Sequence, residues 1–441
     1  VRKKDLRDLT RHLQALVRID TSAPEQNETE AALYLKSVFD KEGIKSRILE
    51  AAPGRGNIVA RLKGSGKGRP LLLMSHLDVV PASMDDGWLH HPFKAKIDNG
   101  YIYGRGTLDC KNSTALWLMV MILIKRSGIH LDRDIIFCAT ADEETGHKDG
   151  IKWLVDNHFD LIDAEAALNE GGGFALPLSG KIYFPIQNAE KGNLWTRITA
   201  RGTAGHGSVP RRDNPVIQIS RFIQRVSRQK FPLMLTDTVY EMFRSMRRES
   251  SSLVSAALWL MTRSLFSDIL LSTRLTNEEF NGSIRAMLRN TISPNAIFAP
   301  SEANVIPSEA SALVDLRVLP GYSIKRGMQL IQKLAGPDLE IEVLDAQEAT
   351  VSPINSMLTA CIERSISLHA PHARTMPFLL TGVSDACFLR PKGIQVYGFT
   401  PLLEIDDISL THGVNERISL ASLEFGLRVS LDIISQYVRI T

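Results

Sequence analysis

Cysteine is scarce in this chain: four in 441 residues, with no CxxC pair. A disulfide scaffold is excluded, and so is a zinc site built on paired thiolates. The thiols Cys110, Cys138, Cys361 and Cys387 fit a reducing compartment. No apolar signal core follows the opening Val1-Arg-Lys-Lys-Asp, so a cytoplasmic location is expected. Long apolar runs are missing too. The most apolar stretch, 252–271, carries Arg263 and Asp268, each expensive in lipid, so no membrane span is expected. Neither sign of charge dominates: 52 Lys plus Arg against 49 Asp plus Glu leave +3. That is not the dense basic footprint of a protein built to hold nucleic acid, and no such partner is expected. Internal repeats and low-complexity tracts are absent. What remains, 44% hydrophobic and 23% charged, is the balance of a folded globular chain. At roughly 150 residues per domain it has room for two or three.

Helical spacing of Leu6, Leu9, Leu13, Leu16 and Val17 opens the chain, and 32–39 repeats the pattern. Short β-rich runs follow at 45–49, 57–62 and 71–80. Next come a helix over 113–126, a strand over 134–141, a helix over 149–157 and a strand over 164–168. Alternation of helices with buried-type strands predicts an α/β sheet covered on both faces. The pattern changes near Glu190-Lys191-Gly192. A half-exposed strand (194–200), an amphipathic helix (215–229) and strands at 310–318 and 339–344 flanking a helix (323–334) predict a small inserted α+β domain. The expected division is 1–190 with 351–441 for the larger domain and 191–350 for the smaller, the latter with a mostly helical insertion at about 231–300.

Five segments hold the chemistry-bearing side chains, each where a strand ends or a helix begins, the usual place for ligands of open α/β sheets. Met74-Ser75-His76-Leu77-Asp78 closes an apolar strand, and period two puts His76 and Asp78 on one side. Asp78 is placed to orient the imidazole through its second nitrogen. Gly104-Arg-Gly-Thr-Leu-Asp109 leads into a helix, its glycines permitting close backbone approach. Asp142-Glu143-Glu144 ends another strand; adjacent carboxylates there point different ways, so one can bind metal while the other stays free to carry a proton. Asn169-Glu170 ends a third strand before a glycine turn, and Thr411-His412-Gly413 precedes the last helix. Alone, each has an ordinary reading: a hydrogen-bonded His/Asp pair, a helix cap, an acidic turn, a capping histidine. Together, two imidazoles and three carboxylates suit two metal ions, each taking one histidine, one terminal carboxylate and a share of a bridging aspartate. Two Zn²⁺ bring +4 against −3. Imidazole–carboxylate ligation favours zinc, with cobalt or manganese as substitutes.

These segments resemble a family of two-zinc amidohydrolases and exopeptidases: aminoacylase, carboxypeptidase S, and the acetylornithine and succinyl-diaminopimelate deacylases. LLLMSHLDVVP, DNGYIYGRGTLDCK, ATADEETG, LNEGGG, AEKGNLWTRITARGTAGHGS, NVIPSEASALVDLRV and HGVNERIS run in the family's order from residue 71 to 418. The likeness is strongest to the carboxypeptidase S and N-acyl-amino-acid hydrolase branch, which shares a long helical insertion. The resemblance implies a three-layer α/β/α zinc-exopeptidase-like catalytic domain with an inserted α+β lid that pairs two subunits. It implies His76, Asp109, Glu144, Glu170 and His412 as zinc ligands, with Asp109 bridging, and Glu143 as general base. It also implies a cis peptide bond after Asp109. His206 is implied as the histidine that reaches a partner's site and steadies the oxyanion, and Asn304 and Arg317 as holders of the substrate's carboxylate and carbonyl.

One departure bears on substrate. Family members carry an arginine at the position of Cys387, whereas this chain has Arg390 three residues on, a further candidate substrate contact. The implied reaction is hydrolysis of the amide of an N-acyl amino acid or small peptide with a free carboxylate. A non-catalytic dimeric metabolite-binding protein, or a two-metal hydrolase of carbamates or esters, stays open as an alternative. Leu253, Leu258, Leu260 and Met261 suggest either the lining of an acyl-chain channel or a packing or dimer surface.

Overall fold

Apolar residues alternate faces along the central strands, and that alternation builds the larger layer structure. In the strand Gly68–His76, Leu71 and Leu73 pack into one core while Leu72 and Met74 pack into another. Arg133–Thr140 does the same, Ile135 and Phe137 on one side and Ile136 and Cys138 on the other. A strand apolar on both faces must be covered on both. The first face is covered by helices Lys3–Arg18, Glu28–Lys41, Lys111–Ser127, Met357–His369 and Leu420–Tyr437. The second is covered by Ile151–Asn157 and the short helix Ala386–Leu389. The result is a three-layer α/β/α arrangement. The structure is a computed structural model and describes the chain except residues 24–25, 179, 264–266, 268–277, 300–301, 404–407 and 440–441.

Four strands run parallel through the sheet, in the order Arg133–Thr140, Gly68–His76, Ala166–Asn169, Gln395–Gly398. Gly56–Leu62 and Lys45–Glu50 extend it antiparallel beyond Arg133–Thr140. The strand expected over 71–80 stops at His76: the N–H of Leu77 still reaches Thr140 O at 2.7 Å, but the Asp78 carboxylate accepts N–H groups from the next loop. The helix Lys111–Ser127 is buried nearly all round, and Gly128 ends it at φ +63°. Its N-terminus sets Asp109 beside the carboxyl ends of the parallel strands.

Contacts divide the chain into two units: residues 1–188, 352–378 and 384–441 form one, 189–351 and 379–383 the other. The second is a four-stranded antiparallel sheet in the order Thr291–Phe298, Glu309–Val318, Gly192–Arg201, Glu340–Gln347. Helices Pro215–Ser227 and Ile324–Ala335 cover one face, through Ile219, Phe222 and Ile331 packed on Leu194, Ile198 and Leu316. Within the expected insertion lie helices Asp237–Arg248, Ser252–Met261 and Glu278–Leu288. Leu253 is 85% exposed and Leu258 buried, so the two do not share one apolar face. Most of 264–277 is outside the described residues. No described helix is long and apolar enough to cross a membrane.

Candidate metal centre

Two histidines face one carboxylate from opposite sides. His76 Nε2 lies 2.9 Å from Asp109 Oδ1, and His412 Nε2 lies 3.0 Å from Asp109 Oδ2. Glu170 Oε2 is 3.3 Å from His76 Nε2, and Glu144 Oε1 is 3.0 Å from His412 Nε2. Among the described residues, two groups gather ligand atoms within 4.8 Å of one another. One is His76, Asp109, Cys110 and Glu170; the other is Asp109, Glu144 and His412. Asp109 belongs to both. Nitrogen and carboxylate donors in this number fit a pair of zinc-like ions sharing one carboxylate.

Each donor is held by an element that explains its position. His76 closes a buried strand, and its Nδ1 sits 2.9 Å from the carbonyl of Asp78. Asp78 therefore orients the ring chiefly through its backbone; its carboxylate oxygen is 3.4 Å away. That carboxylate accepts the N–H groups of Glu143 (3.1 Å) and Glu144 (2.9 Å), tying the His76 strand to the acidic loop. Gly104 approaches so closely that a Cβ there would meet Val17 Cγ1 at 2.4 Å, and Gly106 stands at φ +84°. The Asp109–Cys110 peptide bond is cis, and the Cys110 thiol accepts the His76 N–H at 3.2 Å. Glu170 follows Ala166–Asn169 directly.

The field of the cluster is that of packed carboxylates. Burial, with Glu170 nearby, pushes Glu143 well above the usual carboxylate range, and burial pushes Glu170 up to about 7. Hydrogen bonds to Asp109 and then Glu144 raise His412 to about 10. Burial opposes ionisation of Asp109, yet contacts with His412 and His76 hold it well below the usual range. Carboxylates gathered this tightly call for cations, whose charge would draw Glu143, Glu170 and His412 back down and hold Asp109 lower still.

Of the other predicted residues, His206, Asn304 and Arg317 belong to the second unit and Arg390 to the first. His206 is exposed on a two-residue strand paired with Val305–Ile306, and its Nδ1 is 2.8 Å from Ser208 Oγ. Asn304, also exposed, joins this spot through its carbonyl, which accepts the Gly207 N–H at 2.7 Å. Arg317 is half-buried, its Nε on Asp315 at 2.8 Å and its guanidinium over Trp195. Arg390 is buried and bonded to Ser352 Oγ (3.1 Å), Gln187 Oε1 (3.1 Å) and Val396 O (3.1 Å). Cys387 is buried beside it in the short helix.

Some supporting residues carried no sequence signal of their own. Arg55 is buried between Glu28 (Nη1 to Oε1, 2.5 Å) and Asp142, which also takes the Thr145 hydroxyl and the Asp149 N–H. Asp142, at φ +64°, immediately precedes Glu143. The one hint was three consecutive acids, of which one had to find a cation. Asp385 similarly bonds Thr140 Oγ1 (2.7 Å) and His147 Nδ1 (2.9 Å) at the strand ends.

A three-layer α/β/α sheet with this paired donor set defines a metal-dependent amidohydrolase or peptidase. The chain belongs to Peptidase family M20/M25/M40, whose model matches residues 72–436. It is 27% identical over 451 residues to the N-fatty-acyl-amino acid synthase/hydrolase PM20D1 of Xenopus tropicalis, across 98% of this chain and 86% of that protein. It is 28% identical over 418 residues to a probable succinyl-diaminopimelate desuccinylase of Staphylococcus aureus, across 92% and 95%. The M20 family metallo-carboxypeptidase Sso-CP2 of Sulfolobus solfataricus shares the fold, with a TM-score of 0.74 at 18% identity over 99% of each chain.

Proposed function

We propose that this protein hydrolyses the amide bond of N-acyl amino acids or small peptides that carry a free carboxylate. The observation that carries the reading is the Asp109 carboxylate, whose two oxygens each face a different histidine. Relatives named for N-fatty-acyl-amino acids and for succinyl-diaminopimelate support an acylated amino group as substrate. His76, Asp109 and Glu170 would hold one zinc ion and Asp109, Glu144 and His412 the other, with cobalt or manganese as substitutes; bound there, they supply Lewis acidity that polarises the carbonyl and makes water more acidic.

Glu143 is the general base. It sits outside both donor groups, next to a ligand, with its backbone fixed by Asp78. Its carboxylate takes a proton from the attacking water as oxygen adds to the carbonyl carbon. The same carboxyl returns that proton to the amine nitrogen as the C–N bond breaks, leaving a carboxylate and an amine. His206 of the partner subunit donates to the oxyanion in a homodimer formed through the smaller unit. Its exposure and its neighbour Asn304 support that role. Arg317 suits the substrate carboxylate through its planar fork.

Glu143→Ala tests the base. Two ions per chain should remain bound while turnover falls on the order of 10²–10⁴-fold; full activity in that variant removes the assignment. A panel crossing acyl length with amino-acid side chain, with ester and carbamate counterparts, tests the bond: amides should be preferred, and an ester or carbamate preference would sink the reading.

A further inference from the structure

The loops that carry Asp109 and His412 are joined by an ion pair with no part in the chemistry above. Arg105 and Glu416 are 4% and 0% exposed, and Arg105 Nη1 lies 2.6 Å from Glu416 Oε2. Each partner also grips the opposite loop. The other carboxylate oxygen of Glu416 accepts the N–H groups of Leu108 (2.7 Å) and Asp109 (3.3 Å). Arg105 donates to the carbonyls of His412 and Gly413, both at 3.1 Å. The Glu416 carbonyl closes the link by accepting the Gly104 N–H at 2.9 Å.

A buried pair of this kind is weak evidence for stability, because desolvating both charges offsets much of their attraction. What it provides is direction: a planar fork and a carboxylate fix several backbone groups at once. His412 needs such fixing. It stands at φ +61°, a conformation that bulky residues rarely adopt, and its side chain is 47% exposed. His76, by contrast, closes a strand and is held by the sheet ladder, the Asp78 carbonyl and the Cys110 thiol.

We propose that Arg105 and Glu416 are positioning residues that set the spacing of Asp109 and His412, and with it the affinity of the cation site formed by Asp109, Glu144 and His412. This rests on the reading of Asp109 and His412 as metal ligands. Asp109 serves both sites, but the His76 side has its own supports, so loss of the pair should weaken the His412 site more than the other. Outer partners of metal ligands typically contribute about 10–100-fold in affinity.

Stepwise zinc affinities, from competition with a chromogenic chelator, distinguish the outcomes in wild type, Arg105→Lys, Glu416→Gln and His412→Ala. Wild type should take two ions. Arg105→Lys keeps the charge but not the fork, and Glu416→Gln keeps an acceptor for Leu108 and Asp109 but not the charge. Each should bind one of the two ions about 10–100-fold more weakly and the other with a clearly smaller loss. With added zinc their kcat should recover while KM stays at the wild-type value, and circular dichroism of the metal-free forms should match wild type. Equal weakening of both ions, or two wild-type affinities in both variants, overturns the proposal. Failure of both variants to fold would mark the pair as a determinant of the fold and would also count against it. If wild type binds fewer than two ions, or His412→Ala still binds two, the ligand assignment itself falls.

Discussion

The two units treat charge in opposite ways. At the strand ends of the larger one, charges are buried and committed: Arg55 to Glu28 and Asp142, Arg105 to Glu416, Asp385 to His147. On the sheet of the smaller one, cross-strand pairs lie in water, Arg201 with Glu309 and Glu340 and Arg197 with Glu342. Water screens such exposed pairs, so they add little to stability. Burying a charge costs several kcal/mol of desolvation and persists where it holds something in place. The buried charges of the larger unit surround the candidate metal centre and aim its loops. Lys191 is an exception in the smaller unit. It is fully buried and donates to the carbonyls of Ala286 (3.0 Å) and Arg289 (2.9 Å) near the end of the helix Glu278–Leu288, and burial pushes its ammonium down to about 7.

The sharpest break of this contrast is Arg55→Met. It strands Glu28 and Asp142 in the interior and should cost about 3–5 kcal/mol in urea unfolding; a loss below about 1 kcal/mol would show the pair to be replaceable. Next come two cations of the smaller unit. Lys191→Met leaves buried carbonyls without a donor and should cost about 1–3 kcal/mol, whereas Arg201→Met should leave the melting temperature unchanged. Equal effects would erase the distinction between buried and surface charge.

The smallest effect concerns His12, buried against the Tyr34 hydroxyl at 2.7 Å. Burial, then Arg11, pushes its imidazole down to about 4. The folded state thus keeps it neutral where the unfolded chain, with an ordinary pKa near 6.5, binds a proton. Stability should therefore fall as pH drops from about 6.5 toward 4, and His12→Asn should show a shallower fall over that window. Parallel pH profiles would contradict this.

The same contrast explains what the sequence disclosed. The ligands were legible only as a set: alone each has an ordinary reading, whereas two imidazoles and three carboxylates at strand ends and helix starts suit a pair of ions. The layer order was legible from Leu71–Met74, apolar on both faces. The supports were not. Arg55 and Asp142 are 87 residues apart, and no local pattern joins them. Asp78 was read as orienting His76, whose Nδ1 its carbonyl meets at 2.9 Å; that its carboxylate also holds the backbone of Glu143 and Glu144 is a contact that only the folded loop creates. The partners of Arg390, Gln187 and Ser352, are likewise far away in the chain.

The most direct test is zinc per chain, measured by mass spectrometry on desalted protein, in wild type and Asp109→Asn. A carboxylate shared between two cations predicts two ions in wild type and loss of both sites in the variant with the fold intact. Two ions surviving in Asp109→Asn would contradict it.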